Sequence, residues 1–308
     1  MKLPKLAAGT NPPLNGFHAF PMSVMYSNVY YATVDPDSQA ITDWWGIDGL
    51  HVDCVVPYSV VANNTPFTQI TIPENGSVPD HKQSYPFPDS NVFYAQLPAG
   101  DGWYQDPASG DCHGVIIECD TLGNPIHEVD YWYPWIANGK QYAQIAVRWN
   151  ILGGDNQRQW LLTACSGSGM PLLPFMVTTS EALNGIPHAL GVTLAPEHIA
   201  GWYTPPASHP IWDSKDSRAR GVGTRIRLKQ HYDTSVLPLV ARNVANALKT
   251  YGAIIYDAGA DLFIPGASDL VAYQSQLEEL RANVTSADFE VIYVPTDKRF
   301  TWKVHPPC

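Results

Sequence analysis

Short apolar runs succeed one another through the first half of this chain, each ended by Pro, Gly or Asn before it reaches helical length. They are Val29 to Val34, Val52 to Val61, Phe67 to Ile72, Val92 to Leu97, Val115 to Cys119, His127 to Trp132 and Gln141 to Trp149. Runs rich in Val, Ile, Thr, Tyr and Trp, regularly spaced and bounded by turn formers, predict a mainly β fold of the sandwich or barrel kind.

The second half is mixed. From Val236 to Tyr251, apolar residues recur three or four apart at Leu237, Val240, Val244, Leu248 and Tyr251, and Gly252 stands just past the end. That pattern predicts an amphipathic helix with a glycine at its C-terminus. Ala253 to Tyr256 and Leu262 to Ile264 flank Asp257-Ala258-Gly259-Ala260-Asp261 and predict a hairpin. Ser268 caps a second expected helix over 269–282, with Leu270, Tyr273, Leu277 and Leu280 on one face, and Phe289 to Val294 reads as a strand. No repeat or low-complexity linker divides the chain. The expected organisation is a tail over 1–13 and one β-rich domain over 14–308, with two C-terminal helices packed on it.

Several function classes are disfavoured. A formal charge of −11 argues against nucleic acid and anionic membranes, which demand a basic footprint. No apolar run approaches the roughly 20 residues that span a bilayer. The Leu6-Ala7-Ala8 stretch is too short for the apolar centre of a signal peptide. Charged residues are only 15%, against about 25% in typical soluble domains, and polarity rests on Asn, Ser, Thr and Gln. With sequons at Asn63, Asn75 and Asn283, this composition points to a secreted glycoprotein. The five cysteines lack metal-ligand spacing, so no metal or other cofactor is expected, and one or two disulfides are. Oligomeric state leaves no trace in the sequence.

The C-terminal motifs resemble a family of largely uncharacterised, secreted microbial proteins. Ile186-Pro187-His188-Ala189-Leu190-Gly191-Val192-Thr193, Thr224-Arg225-Ile226-Arg227-Leu228-Lys229-Gln230-His231-Tyr232-Asp233 and Ala247-Leu248-Lys249-Thr250-Tyr251-Gly252 carry the likeness. Gly169-Met170-Pro171-Leu172-Leu173-Pro174 adds to it upstream. The motif order matches over roughly residues 115–295. The resemblance implies export and an association with carbohydrate, and assigns no chemistry.

Four carboxylates, Glu118, Asp120, Glu128 and Asp130, crowd an expected hairpin around Gly123-Asn124. Glu118 and Asp120 share one face of their strand, about 6.6 Å apart, as do Glu128 and Asp130. A register with Glu118 opposite Glu128 would bring their Cβ atoms to about 5 Å, and a slip of one residue would separate them. Glycosidases hold their carboxyls about 5–5.5 Å or 6.5–9.5 Å apart. Asp120 and Glu128 are therefore the candidate catalytic acid and nucleophile or base. The bland alternative is a charged, solvent-exposed hairpin. Trp132 and Trp135 follow as candidate sugar platforms, since sugar rings stack on aromatic faces. His188, His209, Arg227 and Asp257 complete the candidate ligand-binding set. Arg225, Arg227 and Lys229 alternate along one strand, suiting either an anionic ligand or internal ion pairs.

Other motifs fail. Cys165-Ser166-Gly167-Ser168-Gly169 lacks the leading glycine of a nucleophile elbow and the Gly-Lys-Ser/Thr of a P-loop. His51-Val52-Asp53 matches only part of an iron triad. The sequence thus predicts a glycoside hydrolase acting on a polysaccharide. The alternatives are a polysaccharide lyase using His188 or His209 with a tyrosine, and a non-catalytic carbohydrate-binding or cell-surface protein.

Overall fold

The computed structural model describes residues 23–61, 64–72, 92–96, 112–122, 125–150, 163–301 and 303. The expected tail, the sequons at Asn63 and Asn75, the Gly123-Asn124 turn and Cys308 lie outside the described residues.

The fold is mainly β, with two open six-stranded mixed sheets and a two-stranded ribbon. The strands are β1 (His51–Val56), β2 (Tyr58–Val61), β3 (Phe67–Thr71), β4 (Val92–Gln96), β5 (His113–Cys119), β6 (Pro125–Ala137) and β7 (Lys140–Asn150). They continue with β8 (Leu190–Leu194), β9 (Ile199–Tyr203), β10 (Arg220–Val222), β11 (Arg225–Leu228), β12 (Ala253–Ala258), β13 (Phe263–Ala267) and β14 (Phe289–Val291). The helices are α1 (Ser23–Tyr26), α2 (Ser38–Trp45), α3 (Thr179–Asn184), α4 (Leu239–Thr250) and α5 (Gln274–Asn283).

One sheet runs β1-β13-β8-β12-β11-β14, the other β2-β5-β6-β7-β3-β4, and β10 pairs with β9. A single hydrophobic core draws on both large sheets, uniting Val115, Ile117, Val147 and Trp149 of the second with Val192, Ile226, Ile254 and Ile264 of the first. A smaller cluster around Ile70, Ile116, Val129 and Tyr131 covers the opposite face of the second sheet. Proline explains how the sheets are joined. The run from Val52 to Val61 is interrupted at Pro57, which has no N–H to give to a ladder, and the chain crosses there from β1 to β2.

Of the two C-terminal helices, α4 lies against β11 and α3, and α5 against β1 and α4. The buried stripe of α4 includes Val240, Val244 and Leu248, and Gly252 beyond it has a φ of 72°. The second helix begins as a 3-10 turn over Ser268–Tyr273 before α5 takes over. Three expectations are corrected. Residues 29–34 form no strand, and only Val34 bridges, to Ile292. Ala253–Ala258 and Phe263–Ala267 do not make a hairpin, because β8 lies between them, parallel to β12 and antiparallel to β13. No disulfide forms among the described residues: Cys54, Cys112, Cys119 and Cys165 are buried thiols.

Candidate functional site

The site begins with the register of β5, β6 and β7. Ile117, Glu128 and Trp149 stand side by side across the three strands, as do Val115, Asp130 and Val147. Alternation sends all six side chains to the face that meets the main core. Glu118 is opposite His127, one residue away from the register that would have paired it with Glu128. Its carboxylate points to the other face, held by Arg148 at 2.9 and 3.0 Å and by His127 Nδ1 at 3.3 Å. Asp120 lies past the end of β5, where it accepts the Leu122 N–H at 2.8 Å in a local turn. Glu118 therefore points away from Glu128, and Asp120, three residues beyond the Ile117 that stands opposite Glu128, is not across the strands from it as the expected pairing of Asp120 with Glu128 would need. The carboxyl beside Glu128 is that of Asp130.

Glu128 and Asp130 are both completely buried in the middle of the sheet, so the hairpin is no exposed edge. Glu128 Oε1 accepts the Leu173 N–H at 2.8 Å. Asp130 Oδ2 accepts the Leu172 N–H at 3.1 Å and the Trp149 indole N–H at 2.7 Å. The remaining oxygens, Glu128 Oε2 and Asp130 Oδ1, are sealed and receive no donor from any other group among the described residues. The two carboxyls stand beside each other on one face of β6, where a proton held by one of them can be shared with the other in a hydrogen bond. Such a bond needs a proton on one of them, which satisfies both oxygens at once. Burial, then the charge of Asp130, then this bond hold Glu128 well above the usual carboxylate range. Burial pushes Asp130 up to about 6, restrained by the bonds from Glu128, Trp149 and Leu172 and by nearby His113. Glu128 is thus the proton carrier, and Asp130, with more donors, is the partner better able to hold a charge.

Residues 163–175 cover the pair and tie it to the first sheet. The His113 Nε2–H donates to the Cys165 carbonyl at 2.8 Å. Ser166 Oγ closes the turn by donating to Met170 O at 2.6 Å and accepting from Met170 N at 2.8 Å. The Gly167 N–H donates to Asp257 Oδ2 at 2.8 Å, and a Cβ at Gly167 would collide with the other oxygen of that carboxylate. Ser168 Oγ donates to the Tyr256 carbonyl, and the Ser168 carbonyl accepts from Ser208 N at 2.9 Å. Phe175 stacks on Tyr256 at 6.3 Å. The serines and glycines that failed as a nucleophile motif form a polar clamp between the sheets.

Four of the sequence-derived candidates border this segment. They are Glu128, Asp257, His209, which follows Ser208 and bonds to Pro210 O at 3.0 Å, and Trp132, whose ring lies 6.4 Å from His113. Trp135 stacks on Tyr142 at 5.1 Å nearer the hairpin end. His188 and Arg227 belong to other places. His188 bonds to Glu181 Oε1 at 3.1 Å and to the Ala189 carbonyl at 2.9 Å. Arg227 is buried against Glu290 and the carbonyls of Val29 and Tyr30. The Leu172 and Leu173 amides were invisible to sequence reasoning, since any residue but proline carries an N–H. Asp130 was visible as the residue sharing a face with Glu128. Among the described residues no group of three or more His, Cys, Asp or Glu is placed to hold a metal ion. Comparison of the chain with family models, with curated proteins and with solved structures finds no match.

Proposed function

We propose that this protein is a hydrolase acting on a carbohydrate polymer, with Glu128 and Asp130 as its proton-donating unit. The observation that carries the reading is the pair of completely buried carboxyls side by side on one face of β6, where burial keeps a proton on Glu128 although an ordinary glutamate is ionised. Both carboxyls are sealed on one face of a single strand beneath Leu172 and Leu173, and in this reading they act as one acid and not as acid plus nucleophile. Glu128 gives its proton to the leaving glycosidic oxygen as the C–O bond breaks, a water molecule adds to the anomeric carbon, and the proton that this water releases returns to the pair. Trp132 and Asp257, which border the covering segment, contact the sugar. Because Leu172 and Leu173 seal the pair, turnover in this reading requires that segment to lift.

That same sealing favours a second reading, a non-catalytic carbohydrate-binding protein in which the acid pair fastens residues 163–175 and does no chemistry. One experiment separates the two. A panel of polysaccharides is incubated with the protein and assayed for new reducing ends and for unsaturated products. Hydrolysis predicts reducing ends on at least one polymer, lost by roughly a hundredfold or more in folded Glu128→Gln and Asp130→Asn variants. Binding without product, or turnover that survives both substitutions, rejects the acid-pair mechanism. An ultraviolet-absorbing product indicates elimination instead.

A further inference from the structure

Away from the acid pair, four residues distant in sequence meet at one end of the first sheet. His198 closes the 3-10 turn between β8 and β9, and Asp261 lies in the connection from β12 to β13. Trp44 sits in the last turn of α2, and Arg218 in the segment before β10. The His198 Nδ1–H donates to Asp261 Oδ1 at 2.8 Å, and the same oxygen accepts the Ala195 N–H at 2.6 Å, so the imidazole is fixed in orientation and tautomer. The Trp44 ring stands edge-on to the imidazole at 4.6 Å. Arg218 lies over the same indole at 4.5 Å, its Nε and Nη2 bonded to the two oxygens of Asp216 at 2.9 and 2.8 Å.

His198 and Arg218 each keep one hydrogen-bonding group unengaged. His198 Nε2 makes no hydrogen bond among the described residues, and it is not one of the polar atoms sealed from solvent. The imidazole is 9% exposed, so its accessible edge is narrow and directed. Arg218 Nη1 likewise has no hydrogen-bond acceptor among the described residues. With Nδ1 protonated by its bond to Asp261, a neutral His198 presents Nε2 as an acceptor, and Nη1 is a donor. Between them lies a half-buried indole. Two carboxylates against one guanidinium leave the cluster without surplus positive charge, so it does not select an anion.

We infer that Trp44, His198 and Arg218 form a subsite for an uncharged sugar residue, an inference that rests on the carbohydrate reading above. One sugar hydroxyl donates to His198 Nε2, an adjacent one accepts from Arg218 Nη1, and the apolar C–H groups of the ring pack on the exposed part of Trp44. Asp261 and Asp216 are positioning residues, acting through His198 and Arg218. Asp257, which meets the segment over the acid pair, is the penultimate residue of β12, and Asp261 follows in the connection to β13.

The test is calorimetric titration of the whole chain with cellohexaose, xylohexaose, mannohexaose and laminarihexaose, and with a galacturonate hexamer as the charged counterpart. The proposal expects binding of at least one neutral hexaose, weakened about tenfold or more in His198→Gln and Arg218→Gln, as loss of one directed hydrogen bond implies. Trp44→Phe is expected to weaken it less. Circular dichroism confirms that each variant is folded, and the half-exposed Arg218 keeps the test valid if a change at Trp44 disturbs α2. Unchanged affinity in the folded His198 and Arg218 variants overturns the subsite while leaving the carbohydrate reading intact. Preference for the galacturonate hexamer overturns the claim that the ligand is uncharged. Absence of binding to every hexamer, with no product released from any polymer, overturns the subsite and the carbohydrate reading together.

Discussion

Arg227 illustrates how a residue's spacing can be legible while its role is not. Alternation placed Arg225 and Arg227 on one face of a strand, and both point the same way from β11. Their target is the backbone of residues 24–30. Arg227 holds Glu290 at 2.9 Å and donates through Nη1 to the carbonyls of Val29 and Tyr30, while Arg225 donates to the carbonyls of Val24 and Ser27. Those carbonyls carry no side-chain signature, so the sequence left ligand and internal partner equally open. A buried guanidinium whose partners remain is expensive to remove. Arg227→Met is expected to cost about 3–5 kcal/mol, the range for breaking a buried pair, with little effect on sugar affinity. Urea denaturation reads the cost, and limited proteolysis should cut residues 23–34 first. A loss of ligand affinity at unchanged stability would return Arg227 to the binding set.

At the scale of elements, most strands were readable because period-two alternation and turn formers act locally. What failed depended on partners distant in sequence. The stretch from Ala253 to Ile264 looked like a hairpin because its turn residues are genuine, but β8 fills the gap with Leu190–Leu194. Likewise, the acidic hairpin was recognised while its register, set by core packing, differed by one residue. His188 shows how an apparent ligand residue secures an element. Thr178 caps α3 with a reciprocal bond from Glu181, and Glu181 also pairs with His188. Burial alone would lower the pKa of His188, but the bond and charge of Glu181 outweigh it and raise the value above 6.5. Burial alone would raise Glu181, but His188 and Thr178 bring it below 4.5. The signs set a window. The histidine contribution is complete below pH 6.5 and is lost as pH rises through the elevated value; the glutamate contribution is complete above pH 4.5 and is lost as pH falls through the depressed one. Thermal melts across that window and beyond it on both sides should show His188→Gln costing most between those limits and least outside them. A cost that does not vary with pH would mean the pair contributes by packing alone.

For the whole molecule, the acid pair dictates the direction of pH dependence. An elevated carboxyl pKa means the native state keeps a proton that the unfolded chain releases. Its contribution is present below the unfolded values near 4 and is lost as pH rises through the raised values, about 6 for Asp130 and well above 4.5 for Glu128. The melting temperature of the wild type should therefore fall with increasing pH across that range. Glu128→Gln, an uncharged isostere that still accepts from Leu173, should flatten the fall. A profile as steep in that variant as in the wild type would place the titration elsewhere. The mainly β fold and the positions of its two C-terminal helices were legible because they follow from local periodicity. The clamp of residues 163–175 was not, because it is built from serines, glycines and amides whose partners are set only by the assembled sheets. Pro57 carries a last consequence. With a single residue between β1 in one sheet and β2 in the other, there is no slack by which either sheet could be pulled aside independently. A force applied to one is carried through the main chain to the other, so single-molecule stretching across this junction should rupture both sheets as one mechanical unit.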